Sequence, residues 1–269
     1  MTYLFGSVCN DPERLVAALR PAQAALIAPS APCGWGLAFY QGGEVLLQRH
    51  PKPLHRELDL YAALRDKQLR TEAVIGQVRE PAAGEVKLED TPPFRFRSWV
   101  FGMIGAPPHF EEVRAQVQSH MPDFLARNVR GTSAPEMTFH LFLAFLHDSG
   151  KLDDPNVRPG DVAAALRATY ASLQQFVGED PGIDVIVTNG RSLLAARSGA
   201  PMWVYFAKGM PPEAAEAERR PRTERGEHTR VYLVAAGPGT APDGPAWEEL
   251  PKGHVLTLSR DFERQIIPL

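Results

Sequence analysis

The chain lacks a membrane-length apolar run, has only two cysteines, Cys9 and Cys33, and shows no dominant charge. The first absence excludes a transmembrane helix, which needs about 20 consecutive apolar residues. The second excludes a disulfide-stapled secreted scaffold. Two thiols in 269 residues, with no basic and apolar leader, point to a cytoplasmic protein whose cysteines are free and serve as small core residues. The third, a formal net charge of -3 with 29 basic and 32 acidic residues, leaves no electrostatic footprint for a nucleic-acid partner. Metal-ligand spacing is also missing. His140 and His147 are seven apart on one predicted helix, about 10.5 Å along its axis, too far to share an ion. Gly237-Pro238-Gly239 lacks the strand-to-helix context of a phosphate loop. Neither a metal nor a cofactor is expected.

What the chain has is turn chemistry and short apolar runs. With 25 prolines and 22 glycines it predicts many turns and short strands instead of a helical bundle. Its first residues, Met1-Thr2-Tyr3-Leu4-Phe5-Gly6-Ser7-Val8, already read as a strand, so the N-terminus is expected to be tied into a sheet. Asp11 and Pro12 are placed to open a helix. Gly34 to Tyr40 and Val45 to Leu47 flank the glycine turn Gly42-Gly43, a hairpin signature. Leu58 to Leu69 reads as a helix and Ala73 to Arg79 as a strand. A further strand runs from Trp99 to Gly105.

The middle of the chain is helical in pattern: Phe110 to Ser119, about Pro135 to Gly150, and Val162 to Val177 with Leu166, Tyr170, Leu173 and Phe176 on one face. Strands return at Ile183 to Thr188, Leu193 to Arg197, Met202 to Ala207, Val231 to Ala235 and Val255 to Leu258. The charged, proline-containing stretch 211–227 reads as an exposed loop excursion. Its basic run Arg219-Arg220-Pro221-Arg222 is balanced by Glu213, Glu216 and Glu218. Strands, then helices, then strands predict an α+β fold, two sheets with helices packed outside, as one domain over 1–269.

Several of these runs together resemble the class II glutamine amidotransferase domain, of the N-terminal-nucleophile hydrolase fold, in its small stand-alone branch. The family opens Met-Cys-Arg-Leu-Leu/Phe-Gly, and here stands Met1-Thr2-Tyr3-Leu4-Phe5-Gly6. Its Asp-Gly-Trp-Gly is matched by Cys33-Gly34-Trp35-Gly36, and its His-x-Arg by Gln77-Val78-Arg79 with Gly84 following. Asn-Thr-His-Pro-Phe is matched by Asp90-Thr91-Pro92-Pro93-Phe94, and Phe-Ala-His-Asn-Gly by Phe101-Gly102-Met103-Ile104-Gly105. Thr-Asp-Ser-Glu is matched by Ser133-Ala134-Pro135-Glu136. The hairpin Asn189-Gly190-Arg191-Ser192-Leu193 through Arg197 is similar to one in the family's second half. The resemblance implies a four-layer α/β/β/α sandwich, in agreement with the strand and helix pattern.

In that family an N-terminal Cys, freed by loss of Met, attacks the glutamine side-chain amide with its own α-amine as base. An Asn side chain and a Gly backbone N–H stabilise the oxyanion, an Arg holds the substrate carboxylate and an Asp its amine. Carried over residue by residue, the nucleophile position is Thr2, the oxyanion Asn is Ile104, the amine-binding Asp is Ala134 and the His of His-x-Arg is Gln77. Arg79, Gly105 and the Trp35 frame are kept as the candidate substrate-binding residues.

One lost oxyanion donor costs roughly 2.7–4 kcal/mol in the transition state. The sequence therefore predicts a family member without glutaminase activity, a pseudoenzyme acting as a scaffold or binding module for a protein partner or a small carboxylate near Arg79. The alternative is an active amidohydrolase using Thr2 on another amide, which requires removal of Met1. Thr2 then has two readings, a nucleophile with its own free amine or a β-branched strand residue. Arg79 likewise is either a carboxylate ligand or one side of an ion pair with Glu80 or Asp90.

Overall fold

Tyr3–Cys9 is buried at every position because both faces of the strand are covered, which is why it reads as a continuous apolar run and not as an alternating one. In the computed structural model, which describes residues 2–28, 33–52, 58–66, 69–79, 87–209, 228–237, 241–243 and 246–269, this strand is β1. In chain order follow α1 (Leu15–Ala18), a 3-10 segment (Arg20–Leu26), β2 (Ile27–Ala28), β3 (Gly34–Gln41), β4 (Glu44–His50), β5 (Leu58–Asp59), α2 (Leu60–Asp66) and β6 (Ala73–Arg79). The middle holds β7 (Phe94–Phe96), β8 (Trp99–Ile104), α3 (Phe110–Ser119), α4 (Asp123–Ala126), α5 (Ala134–Asp148) and α6 (Pro159–Val177). The last third is β9 (Asp184–Thr188), β10 (Leu193–Arg197), β11 (Met202–Lys208), β12 (Arg230–Ala236), β13 (Glu248–Glu249), β14 (His254–Leu258) and β15 (Arg264–Pro268).

Two antiparallel sheets stack face to face. One runs β13-β11-β12-β1-β6-β3-β4 and the other β15-β14-β10-β9-β8-β7, with β2 and β5 as a separate short pair. Side chains alternate faces along each strand, and the buried clusters follow that rule. Tyr3, Phe5 and Cys9 pack with Leu15, Leu19, Leu60 and Leu64 from the first helical layer. Leu4 and Val8 point the other way, against Ile186, Leu193 and Leu256 of the second sheet. Beyond that sheet, Phe101 and Val185 meet Phe139, Phe142, Leu166 and Leu173 of α5 and α6. The result is the four-layer α/β/β/α sandwich expected from the sequence.

The strands and the long helices fall close to their predicted spans, and Gly178 ends α6 in the left-handed region at φ 80°. The β3–β4 turn carries positive φ at both Gly42 and Gly43, as a two-residue hairpin of the primed type requires. Two helix starts move. Asp11 accepts from the Glu13 amide at 3.1 Å and pairs with Arg14 at 3.2 Å, so it organises a turn and the helix begins only at Leu15. Leu58–Asp59 pairs with β2, and Asp59 then caps α2 through the Ala62 amide at 2.8 Å. The predicted excursion 211–227, Gly84 and the Pro238-Gly239 step lie outside the described residues.

Candidate functional site

Strand register assembles one end of the sandwich. Tyr3 lies opposite Val78 and Gly34 opposite Arg79, so one further step of the β1–β6 ladder sets Thr2 level with Arg79 and Gly34. Thr2 is half-buried. Beneath this row the second sheet presents its own, in which Ile104 on β8 and Arg197 on β10 both lie opposite Asp184 on β9. The two sheets approach closely where Gly102 faces Leu4: a Cβ at Gly102 would sit 2.5 Å from Leu4 Cδ1 and 3.1 Å from Gln77 Oε1.

Gln77 closes this approach. Its side chain crosses from β6 to β8, where Nε2 donates to the Met103 carbonyl at 2.5 Å and Oε1 accepts from the Met103 amide at 3.1 Å. Gln77 is 2% exposed, and the strand β7 that flanks β8 has ended by Phe94, opposite Phe101. Extending that register places Pro92 opposite Met103, and a proline has no N–H to give, so the carboxamide meets the Met103 backbone where the ladder stops. Next to it, Ile104 is buried in the apolar layer between the sheets with Ile75 and Ile186. Gly105 follows in the left-handed region at φ 83°, with the Gly182 carbonyl 2.5 Å from where a Cβ would stand.

Arg79 is half-buried and donates through Nη1 to the Asp90 backbone carbonyl at 3.3 Å, not to its carboxylate. That carboxylate is occupied: Oδ1 accepts from the Thr132 and Ser133 amides at 2.8 and 3.0 Å. Glu136, one turn into α5, takes the Arg130 and Gly131 amides at 3.0 and 2.6 Å. Burial pushes its pKa up, and those two amides oppose the shift. Asp90 and Glu136 therefore hold the 130–133 loop in place. Ala134, at the start of α5, contributes only a methyl group. Glu80, the other predicted partner of Arg79, lies outside the described residues.

Trp35 stacks on His50 at 4.4 Å between ring centroids, on the helix-facing side of the first sheet with Tyr3 and Val78. Cys33 donates its amide to the Arg79 carbonyl at 2.9 Å, and both cysteines are free thiols. Burial pushes the Cys9 thiol up to about 12. Among the described residues no group of three His, Cys, Asp or Glu is placed to hold a metal, and no helix is long and apolar enough to cross a membrane.

The model of class-II glutamine amidotransferases matches residues 1–264 of this chain. The chain belongs to that family. It is 23% identical over 256 residues to the glutamine amidotransferase-like protein DUG3 of Saccharomyces cerevisiae, covering 84% of this chain and 69% of that protein. It is 26% identical over 172 residues to YafJ of Escherichia coli, covering 64% of this chain and 62% of YafJ, so it spans less than two thirds of that relative's length. Among solved structures, a glutamine aminotransferase class-II domain protein from Silicibacter pomeroyi superposes with a TM-score of 0.58 at 17% identity, covering 100% of this chain and 99% of its own. The allosteric regulatory enzyme of purine biosynthesis gives 0.59 at 13% identity, with 99% of this chain on 48% of that one. At such identities the superpositions establish the fold.

Seen within the family, Thr2, Arg79 and Gly105 are brought to one end of the sandwich, and the Trp35 ring is turned to the helical side of the first sheet. Sequence reasoning missed Asp184. It is 1% exposed and accepts from the Ser198, Gly199 and Ala200 amides at 3.0, 2.9 and 2.7 Å. Burial pushes its pKa from 3.8 up to about 6, against the pull of those amides. The signal available was an acid heading an apolar strand, with a Ser-Gly turn after the next one. The Gln77 bridge had no such signal, because nothing in sequence says which strand a glutamine will reach.

Proposed function

We propose that residues 1–269 act as one class-II glutamine amidotransferase-family unit that does not hydrolyse glutamine and serves as a scaffold or binding module. The observation that carries this reading is the Gln77–Met103 clasp. Both polar ends of that carboxamide are anchored to backbone, which fixes its direction, and a carboxamide has no titratable nitrogen with which to move a proton. Ile104 beside it has no donor to offer. An oxyanion hole is worth several kcal/mol only if its donors are already aimed at the developing charge.

A binding role near Arg79 follows from its hydrogen-bonding capacity. A guanidinium has five N–H donors, and among the described residues Arg79 is seen giving one, to the Asp90 carbonyl. A small carboxylate is the ligand such a fork suits. The free thiols fit a cytoplasmic setting. Incubating the full-length protein with glutamine and measuring ammonia and glutamate tests the inactive reading: release stays at background. Turnover that Thr2→Ala abolishes would sink it.

A second reading has its own support in the half-buried placement of Thr2 level with Arg79. Under it, Thr2 is a nucleophile toward another amide. It demands a free Thr2 amine, so an intact mass that retains Met1 excludes it.

A further inference from the structure

The opposite end of the first sheet, about seven residues of β1 or roughly 23 Å from Thr2, carries an aromatic and cationic shelf that the reading above does not use. Lys208 on β11 and Arg230 on β12 are direct cross-strand partners, and Phe206 and Tyr232 are the pair two positions further in. By strand alternation all four project from one face. That face is the one that meets the second sheet, yet Phe206 is 42% exposed there.

The shelf is built, not loose. Phe206 stacks on Tyr232 at 4.5 Å and 29°. Tyr232 in turn stacks on Phe262 at 6.1 Å, and the Arg230 guanidinium lies 5.1 Å over the Phe262 ring. Phe262 reaches this position with φ 63°, a left-handed conformation that a bulky side chain rarely adopts. Asn10 fixes the start of β12, donating to the His228 carbonyl at 2.8 Å and accepting from the Arg230 amide at 2.7 Å. Asn10, Phe206, Lys208, His228 and Arg230 line an open hollow of about 430 Å³, within the size range of small-molecule sites.

Lys208 is exposed, and the half-buried Arg230 gives one guanidinium N–H to the Asp261 backbone carbonyl at 3.3 Å. Like charges directly opposite on a sheet are destabilising, and among the described residues no carboxylate pairs with Lys208 or Arg230. Among the described residues the lining of the hollow contains no acid. An exposed ring face two strand residues, roughly 6.6 Å, from a pair of cations offers stacking at one end and phosphate contacts at the other.

We propose that this shelf binds a nucleoside monophosphate, its base stacked on the exposed face of Phe206 and its phosphate held by Lys208 and Arg230. The experiment is calorimetric titration of the full chain with AMP, adenosine and inorganic phosphate. AMP is expected to bind saturably, and adenosine and phosphate each about ten-fold more weakly, since each lacks one half of the recognition. Phe206→Ala and Lys208→Glu should each weaken AMP about ten-fold. Both positions are exposed, and cooperative thermal melts would establish that the variants are folded.

AMP binding no tighter than adenosine or phosphate overturns the proposal. So does equal AMP affinity in the wild type and in a folded Phe206→Ala or Lys208→Glu. A short single-stranded oligonucleotide offers the same ring and phosphate from a polymer; if it bound about a hundred-fold tighter than AMP, the site would belong to a strand and the free-nucleotide assignment would fall. None of these outcomes bears on glutamine turnover at the other end of the molecule.

Discussion

At the Thr2 end of the sandwich, four buried or half-buried polar side chains are spent on the chain's own backbone; at the Asn10 end, Lys208 and Phe206 face solvent. Gln77, Asp90, Glu136 and Asp184 all reach main-chain amides or carbonyls. Lys208 and Arg230 lie across from each other with Phe206 beside them, and Arg230 gives one N–H to the Asp261 carbonyl. A buried polar group whose hydrogen bonds are all made stabilises the fold but has no capacity left for a ligand. An exposed, like-charged pair costs stability and keeps that capacity. At the first end Gln77, Asp90, Glu136 and Asp184 serve the fold while Arg79 keeps N–H donors to spare, and at the second exposed Lys208 and Phe206 look outward.

The largest test of this contrast is Asp184→Ala. The substitution leaves three buried amides without an acceptor, at roughly 1–3 kcal/mol each, while relieving the cost of burying a charge. The expected loss is about 4 kcal/mol near pH 5, read as the urea midpoint. The pH dependence has a definite sign. Asp184 is raised from 3.8 to about 6 in the folded chain, so between those values the native state binds the extra proton. Its contribution is greatest near pH 4 and falls as pH rises through about 6, by about 3 kcal/mol. The advantage of the wild type over the variant should shrink across that window. A gap that widens instead would mean that the three amides outweigh desolvation.

Gln77→Ala comes next. It strands the Met103 amide and carbonyl between the sheets, for an expected loss of about 3 kcal/mol in urea unfolding. Gln77→His, which supplies the family's residue, can satisfy one of the two groups and should lose about half as much. If both variants were as stable as the wild type, the clasp would be incidental and the closed reading of this end would weaken.

How far the sequence carried differs between the two ends for the same physical reason. Strand alternation, the Gly42-Gly43 turn and the amphipathic face of α6 are local patterns, so the layers and much of the element order were legible. The partners of Gln77 and Asp184 are long-range, set by which strands become neighbours, and no local pattern encodes that. The shelf was hidden similarly. Lys208 and Arg230 are 22 positions apart in the chain and become a like-charged pair only through the β11–β12 register.

That register supplies the smallest and most discriminating prediction. Opposed like charges on a sheet cost roughly 0.2–1 kcal/mol, so Lys208→Ala should stabilise the fold by about 0.5 kcal/mol at low salt. Screening shortens the reach of exposed charges to about 3 Å at 1 M salt, and the gain should vanish there. Lost packing would behave differently: it would lower the midpoint and be indifferent to salt. A substitution that raises stability while lowering affinity for an anion is the expected behaviour of a charge kept for binding. A destabilised, salt-independent Lys208→Ala would make Lys208, like Gln77, a side chain that serves the fold.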